Sequence, residues 1–250
     1  MAEGGILTGK AICEAVASGL ITITPWAPAQ LNEKDWSDHR YVNAGSYDLL
    51  LGDYVAVYRR VVYFIHHRVK ALFGSEAASY YDTETKVGNS EDHAIFDGSA
   101  IYADPTGVLD SKKKNEVYKF RMNPETGWLC KPGIGYLMHT RERIATNHYE
   151  PVIDGKSSMG RLFTTAHVTA GYGDPGFNGQ YTLEVTVTHP TIIYPGMRFC
   201  QMRFHTLVGE HMSYDSKEHS HYTGEQAVGP VPSMAWKQIE EEFACRDKGL

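Results

Sequence analysis

Residues 155–184 read GKSSMGRLFTTAHVTAGYGDPGFNGQYTLE, and three pieces of that block govern how the rest of the chain is read. Lys156-Ser157-Ser158-Met159-Gly160-Arg161 gathers two cations and two hydroxyls in six residues. Such a turn can offer hydroxyls, backbone N–H groups and positive charge to phosphate oxygens, or it can be a plain polar turn leading into the next element. Asp174-Pro175-Gly176-Phe177-Asn178-Gly179 is a tight turn with one carboxylate, and its Asp can equally serve only to start the turn. Gln180 to Val187 alternates as a strand does. Tyr181, Leu183, Val185 and Val187 share one face, and Gln180, Thr182, Glu184 and Thr186 share the other. A carboxylate on a face of hydroxyls and amides is either solvated or lines a polar pocket, and composition leaves both open.

Outward from that block the turns are frequent. Between Trp128 and Leu207, short strand-like runs are separated by Lys131-Pro132-Gly133, Asp154-Gly155, Asp174-Pro175-Gly176, Asn178-Gly179 and Tyr194-Pro195-Gly196. Strands at spacings of roughly 8–12 residues argue for an antiparallel sandwich or barrel. Upstream, Lys10 to Ser18 predicts a short amphipathic helix capped by Thr8 and stopped by Gly19. Leu20 to Thr24 predicts a half-buried strand, Asn43 to Gly52 a turn entering a strand, and Tyr54 to Ile65 a strand region rich in Val, Tyr and Phe. Residues 84–115 carry many turn formers and end in the run Lys112 to Lys114, so they read as an exposed excursion. Residues 208–232 read as a loop or arm. Ser233 caps a last helix on which Trp236, Ile239 and Phe243 form a stripe. The expectation is one domain over 1–250, with an insertion at 66–125, a closing arm at 208–232 and a terminal helix at 233–250.

A chain of 250 residues that is 42% hydrophobic and 22% charged is an ordinary globular composition, which excludes wholesale disorder. With 24 Lys and Arg against 30 Asp and Glu, the net charge of −6 argues against coating duplex nucleic acid. A small anion can still be bound where a few cations gather. Cys13, Cys130, Cys200 and Cys245 are widely spaced, as reduced thiols of a cytoplasmic protein would be. Met-Ala-Glu-Gly-Gly at the start lacks the basic region of a signal peptide. The charge-poor stretch from Ala15 to Asn32 is broken by Gly19, Pro25 and Pro28, so no membrane span is expected. The phosphate-loop, dinucleotide and nucleophile-elbow motifs are absent, as are H-E-x-x-H and the zinc deaminase signature. His66 and His67 would point to opposite faces of a strand, and His219 with His221 is a lone pair in a loop, so no metal set is read.

The order K-S-S-x-G-R, H-x-T-A-G, D-P-G-F-x-G, T-L-E resembles the dCTP deaminase branch of the dUTPase-like superfamily. Asn43-Ala44-Gly45-Ser46-Tyr47-Asp48-Leu49-Leu50-Leu51-Gly52 is similar to its early N-x-x-S-x-D-L-R-L-G strand, with Leu50 in place of the usual Arg. LCKPGIGYLMHTRERI at 129–144 resembles its L-x-P-G…T-x-E segment, Tyr194-Pro195-Gly196-Met197 its P-G-M turn, and Tyr222-Thr223-Gly224-Glu225-Gln226 its C-terminal arm. The likeness covers about 10–52 and 128–233.

The resemblance implies a mostly-β fold, a distorted jelly-roll-like β-barrel of the dUTPase-like type with short flanking helices, in a homotrimer with active sites between subunits. It implies hydrolytic deamination of dCTP to dUTP and ammonia, with no metal in the chemistry and Mg2+ carried only by the substrate triphosphate. Glu184 matches the catalytic acid/base. Lys156, Ser157, Ser158 and Arg161 match the phosphate and active-site segment. Thr169 and Ala170 match base-contacting backbone, Asp174 the carboxylate near the sugar, and Thr182 and Leu183 flank the base. Tyr214, His221 and Glu225, or Gln226 after a one-residue shift, match the arm that closes over the triphosphate. His221 replaces a usual Lys, Glu225 a usual Gln, and Gly173 a usual aliphatic residue.

The residue types suit the reaction. Water attack at C4 of cytosine needs a proton on N3 and later one on the leaving amine, and a single carboxyl enclosed in a low-dielectric pocket can carry both. Ser157 can hold the attacking water. Two alternatives stand beside this reading. One is a bifunctional enzyme taking dCTP on to dUMP, favoured by Asp174 and by Thr169-Ala170-Gly171, or a plain diphosphatase, disfavoured by Glu184. The other is a non-catalytic nucleotide-binding homologue.

Overall fold

The computed structural model describes residues 4–26, 40–64, 95–216, 222 and 229–240. Along these residues run α1 (Gly9–Ala17), β1 (Thr22–Thr24), β2 (Tyr47–Leu50), β3 (Tyr54–Tyr58), β4 (Val62–Phe64), β5 (Ile95–Phe96), β6 (Ile101–Ala103), β7 (Val117–Met122), β8 (Trp128–Cys130), β9 (Tyr136–Ala145), β10 (Tyr149–Gly155), α2 (Ser157–Gly160), β11 (Asn178–Val185), β12 (Thr191–Ile193) and β13 (Arg198–Thr206), followed by α3, a helix over 235–240. The mostly-β class is as expected, with short helices at its margins. Thr8 caps α1 through its hydroxyl, which accepts from the Ala11 N–H, and Gly19 follows the helix at φ 76°.

The largest sheet has the order β1-β9-β3-β7-β5, and β11 also pairs with β9. A second sheet has the order β10-β13-β2, and β12-β8 and β4-β6 form two small pairs. Strand alternation points Tyr47, Leu49, Tyr136, Leu183, Val185, Phe199, Met202 and Phe204 into one core. Trp128 is wholly buried there, its ring 5.7 Å from Phe96, 5.5 Å from Phe120 and 6.3 Å from Tyr136. Aromatic rings of this size dominate the burial energy of such a core.

The expected excursion is corrected by this packing over its first described residues, 95–101, while residues 65–94 lie outside the described residues. Phe96, Ala100 and Ile101 are buried, and β3 pairs with β7 along its whole length, from Tyr54 opposite Arg121 to Tyr58 opposite Val117. Pro105, Thr106, Val108 and Leu109, and the polar run from Ser111 to Lys114, lie exposed as read. Phe120 and Met122 gain more from burial than the intervening turn formers lose, at roughly 1.5–3 kcal/mol for each large apolar side chain.

Between β9 and β11 the register shifts. Gln180 lies opposite Arg143, but Thr182 lies opposite His139, so β9 carries extra residues there. The Tyr181 N–H that the shift leaves without a ladder partner donates to the Thr140 hydroxyl at 3.0 Å. The bulge also turns His139 and Glu142 inward, where both are buried. The Tyr54 N–H donates to His139 Nε2 at 3.2 Å, and His139 Nδ1 lies 2.9 Å from the Thr140 carbonyl. The proton is therefore on Nδ1 and the ring is neutral. Gly52 leaves room for that ring, since a Cβ there would overlap it. The Leu50 N–H donates to Glu142 at 3.0 Å.

Candidate active site

The strand face that carries Glu184 opens on a cleft of about 700 Å³. Period-2 alternation delivers the residues: Leu183 and Val185 go to the core, while Thr182 and Glu184 face the cleft. Glu184 is half-buried within one chain rather than enclosed, and the Val168 N–H donates to its Oε2 at 3.1 Å. Leu183, at 0% exposure, can meet a ligand only through its backbone.

Asp174 reaches the same cleft from the Asp-Pro-Gly turn. Its φ of 52° is left-handed, a conformation that Asp tolerates better than most side chains. The turn is braced from behind. Phe177 packs on Tyr181 at 4.8 Å and meets the edge of Tyr214 at 6.0 Å, and the Tyr214 N–H donates to the Pro175 carbonyl at 2.7 Å. Tyr214 thus lines the cleft where the arm was expected to begin, and burial raises its phenol pKa. Ala170 lines the cleft as well, whereas Thr169 faces a second cavity with His167, Arg203 and His205.

Gly173 explains itself in three dimensions. A Cβ there would overlap the Tyr181 phenol, which donates to the Gly173 carbonyl at 3.2 Å. The Tyr181 phenol fills the volume that a side chain at position 173 would occupy. Gly173→Val is therefore expected to destabilise the fold by about 1–3 kcal/mol through overpacking. Gly173→Val with Tyr181→Leu should recover most of that loss. Thermal unfolding followed by circular dichroism compares the single and double variants.

The serine-rich turn stands elsewhere. Ser157, Ser158 and Arg161 are exposed on and just after α2, and none of them lines the Glu184 cleft within one chain. Lys156 precedes α2 and is half-buried. His221, Glu225 and Gln226 lie outside the described residues.

Residues that sequence reading did not assign complete the cleft. Tyr58, Leu109, Tyr222, Val231, Ser233 and Gln238 all line it. The end of the arm lies on the polar face of β11: the Gly229 N–H donates to Gln180 at 3.3 Å, and the Val231 N–H donates to the Thr182 hydroxyl at 3.0 Å. The Ser233 N–H donates to the Tyr58 phenol at 3.0 Å, and the Met234 N–H to the Tyr222 phenol at 2.9 Å. Burial raises the Tyr58 pKa, with Tyr222 and Glu184 adding to the effect. The β-rich stretch around Tyr58 marks a strand, but nothing in it separates a cleft tyrosine from a core one.

Comparison with known proteins completes the picture. The family model for dCTP deaminase-like proteins matches residues 88–207. A dCTP deaminase from Leptospira biflexa, named as dUMP-forming, is 38% identical over 162 residues, or 65% of this chain and 88% of that protein. The chain belongs to the dCTP deaminase-like family. Another member, the dUMP-forming dCTP deaminase of Cytophaga hutchinsonii, is 41% identical over 174 residues, covering 69% of this chain and 96% of that protein. The crystal structure of 2'-deoxycytidine 5'-triphosphate deaminase from Agrobacterium tumefaciens matches with a TM-score of 0.46 and 18% identity, over 81% of this chain and 48% of that one. The reading of this chain as an enzyme rests on such named deaminases. Among the described residues no disulfide joins Cys13, Cys130 and Cys200, and no helix is long and apolar enough to cross a membrane. Nor do three His, Cys, Asp or Glu side chains converge there as a metal set.

Proposed function

We propose that this protein hydrolyses dCTP to dUMP, ammonia and pyrophosphate, rather than stopping at dUTP. The observation that carries the reading is that Glu184 and Asp174 line one cleft. One carboxylate suits deamination and the other suits hydrolysis at phosphorus. The relatives named as dUMP-forming support the same two-step outcome.

In the first step Glu184 takes a proton from water as the oxygen bonds to C4, and passes it to N3 of the pyrimidine. The tetrahedral carbon then collapses: Glu184 takes the proton of the new C4 hydroxyl and hands it to the amine, the C4–N bond breaks as the C4 carbonyl forms, and ammonia leaves. One group acts in turn as base and acid, which serves both half-steps. In the second step Asp174 takes a proton from a second water as that oxygen attacks the α-phosphorus, and pyrophosphate leaves. Ala170 and Thr182 border the base, and Tyr214 borders the cleft mouth. Magnesium comes with the triphosphate. The site operates in the cytoplasm, where dCTP is found.

Ser157, Ser158 and Arg161 belong to this reaction only if a second copy of the chain brings its turn to the cleft. Exposed apolar side chains on both sides support such a contact: Leu162 and Phe163, just after the turn, are 50% and 61% exposed, and Val168 and Tyr172, at the cleft, are 62% and 75% exposed. A homotrimer with shared sites satisfies this requirement.

The test is a product analysis. Purified protein is incubated with dCTP and, separately, dUTP, and nucleotides, ammonia and pyrophosphate are quantified. The expected result is dUMP with equimolar ammonia and pyrophosphate from dCTP. Accumulation of dUTP as the sole nucleotide product would restore the single-step reading, and absence of any product would make the chain a binding protein.

A further inference from the structure

The motif Asn43-x-x-Ser46-x-Asp48 has no place in the cleft, yet its three polar side chains are joined to one another and to the serine-rich turn. Asn43 Nδ2 donates to Asp48 Oδ1 at 2.8 Å and to Ser46 Oγ at 3.2 Å. Ser46 Oγ donates to Gln201 Oε1 at 2.7 Å, and Gln201 Nε2 donates to the Gly155 carbonyl at 2.9 Å. Lys156 Nζ donates to Asp48 Oδ2 at 2.6 Å. Both residues that precede α2 are thus gripped from β2 and β13.

The burial pattern gives the grip its meaning. Asp48 is fully buried, and the Lys156 side chain is 21% exposed. A buried carboxylate requires a close cation, because the interior solvates it poorly. Arg198 NH1 also approaches Asp48 Oδ2, at 3.4 Å, but it donates at 2.8 Å to the Arg40 carbonyl. Lys156 is therefore the closer counter-ion. Its carbonyl accepts from the Met159 and Gly160 N–H groups, so the same residue starts α2. Arg161, one turn on, is exposed and has no ion pair among the described residues.

We infer that Asn43, Ser46 and Asp48 form a positioning cradle for the Ser157–Arg161 turn, in which Lys156 is a tether to Asp48 and Arg161 is the cation left to meet phosphate. This rests on the dCTP reading of the site for its kinetic consequence, but not for its geometry. The three side chains act through Lys156 and Gln201 and touch no substrate.

The experiment compares Asp48→Asn, Lys156→Met, the double variant and Lys156→Arg in the full chain. Amide hydrogen exchange of residues 157–161 is read first, without nucleotide. The tether predicts at least ten-fold faster exchange in each single variant, no further increase in the double, and protection restored by Lys156→Arg. Unchanged exchange in Lys156→Met, the variant least disruptive to the core, overturns the cradle. Steady-state kinetics with dCTP follow. The tether predicts that both single variants lower kcat at least ten-fold, with KM within three-fold, and that the double is no worse. If Lys156 instead grips phosphate directly, Lys156→Met raises KM with kcat kept, while Asp48→Asn frees the lysine and tightens dCTP binding; that pattern also overturns the proposal. A wild-type chain that leaves dCTP intact defeats the functional reading alone, and the exchange data still decide the cradle.

Discussion

Replacing Glu184 by Gln is expected to lower dCTP turnover by roughly 10²–10⁴-fold while leaving nucleotide binding within a few-fold of wild type. The amide matches the carboxyl in size, and its oxygen can still accept the Val168 N–H that Glu184 accepts at 3.1 Å. The backbone around the cleft is therefore unchanged. What the amide cannot do is take a proton from water and return it to the pyrimidine, and every deamination half-step in the proposed reaction runs through that transfer. Hydrolysis of dUTP, which is assigned to Asp174, should survive in the same variant. The measurement is ammonia release from dCTP, dUMP formation from dUTP and calorimetric binding of dCTP, all on one preparation. Ammonia release at a near wild-type rate would remove Glu184 from the chemistry. Loss of both activities together would mean that the two carboxylates do not act on separate bonds.

How far the site was legible depends on which physical signal each residue carried. Glu184 could be placed on a polar strand face because alternation in a strand is a strict geometric rule, and β11 obeys it from Tyr181 to Val185. The same rule, with frequent Gly and Pro turns, was enough for the mostly-β class. Phe96 and Ile101 were misread because turn formers surround them, and local composition does not register a buried apolar residue between two turns. The separation of Ser157 and Arg161 from the Glu184 cleft within one chain could not be read from a linear block in which they are neighbours. The early Asn43–Asp48 motif looked like part of a strand, and only the fold shows Asp48 meeting a lysine 108 positions away. Gly173 was a departure without a reason until Tyr181 was seen to occupy the missing volume. His139 and Glu142 stand in the 129–144 segment without a role assigned to them, since a bulge that turns them inward has no one-dimensional signature.

That buried pair leads to opposite pH slopes in two variants. Burial pushes the Glu142 carboxyl up from 4.5 to about 7, and burial pushes His139 down from 6.5 to about 4. Each displacement corresponds to about 3 kcal/mol of stability across its window. The signs differ. Glu142 binds its proton more tightly folded than unfolded, so its contribution is full below pH 4.5 and is lost as pH rises through 7. His139 is held neutral in the fold, so its contribution is full above pH 6.5 and is lost as pH falls through 4. Between pH 4.5 and 6.5 the two slopes cancel, and the pair leaves wild-type stability level. Glu142→Gln removes one arm, and its stability relative to wild type should fall by about 3 kcal/mol from pH 6.5 to pH 4.5. His139→Gln, whose amide oxygen can still accept the Tyr54 N–H, removes the other arm. Its stability relative to wild type should fall by a similar amount from pH 4.5 to pH 6.5. Urea unfolding of the three proteins at closely spaced pH values measures these differences, and the comparison with wild type cancels the titration of every other group. Two variant profiles that run parallel to wild type would show that the bulge does not hold His139 and Glu142 away from water. The bulge in β9 that turns the pair inward is the same one that sets Thr182 of the cleft strand opposite His139, so these measurements also report on the packing behind that strand.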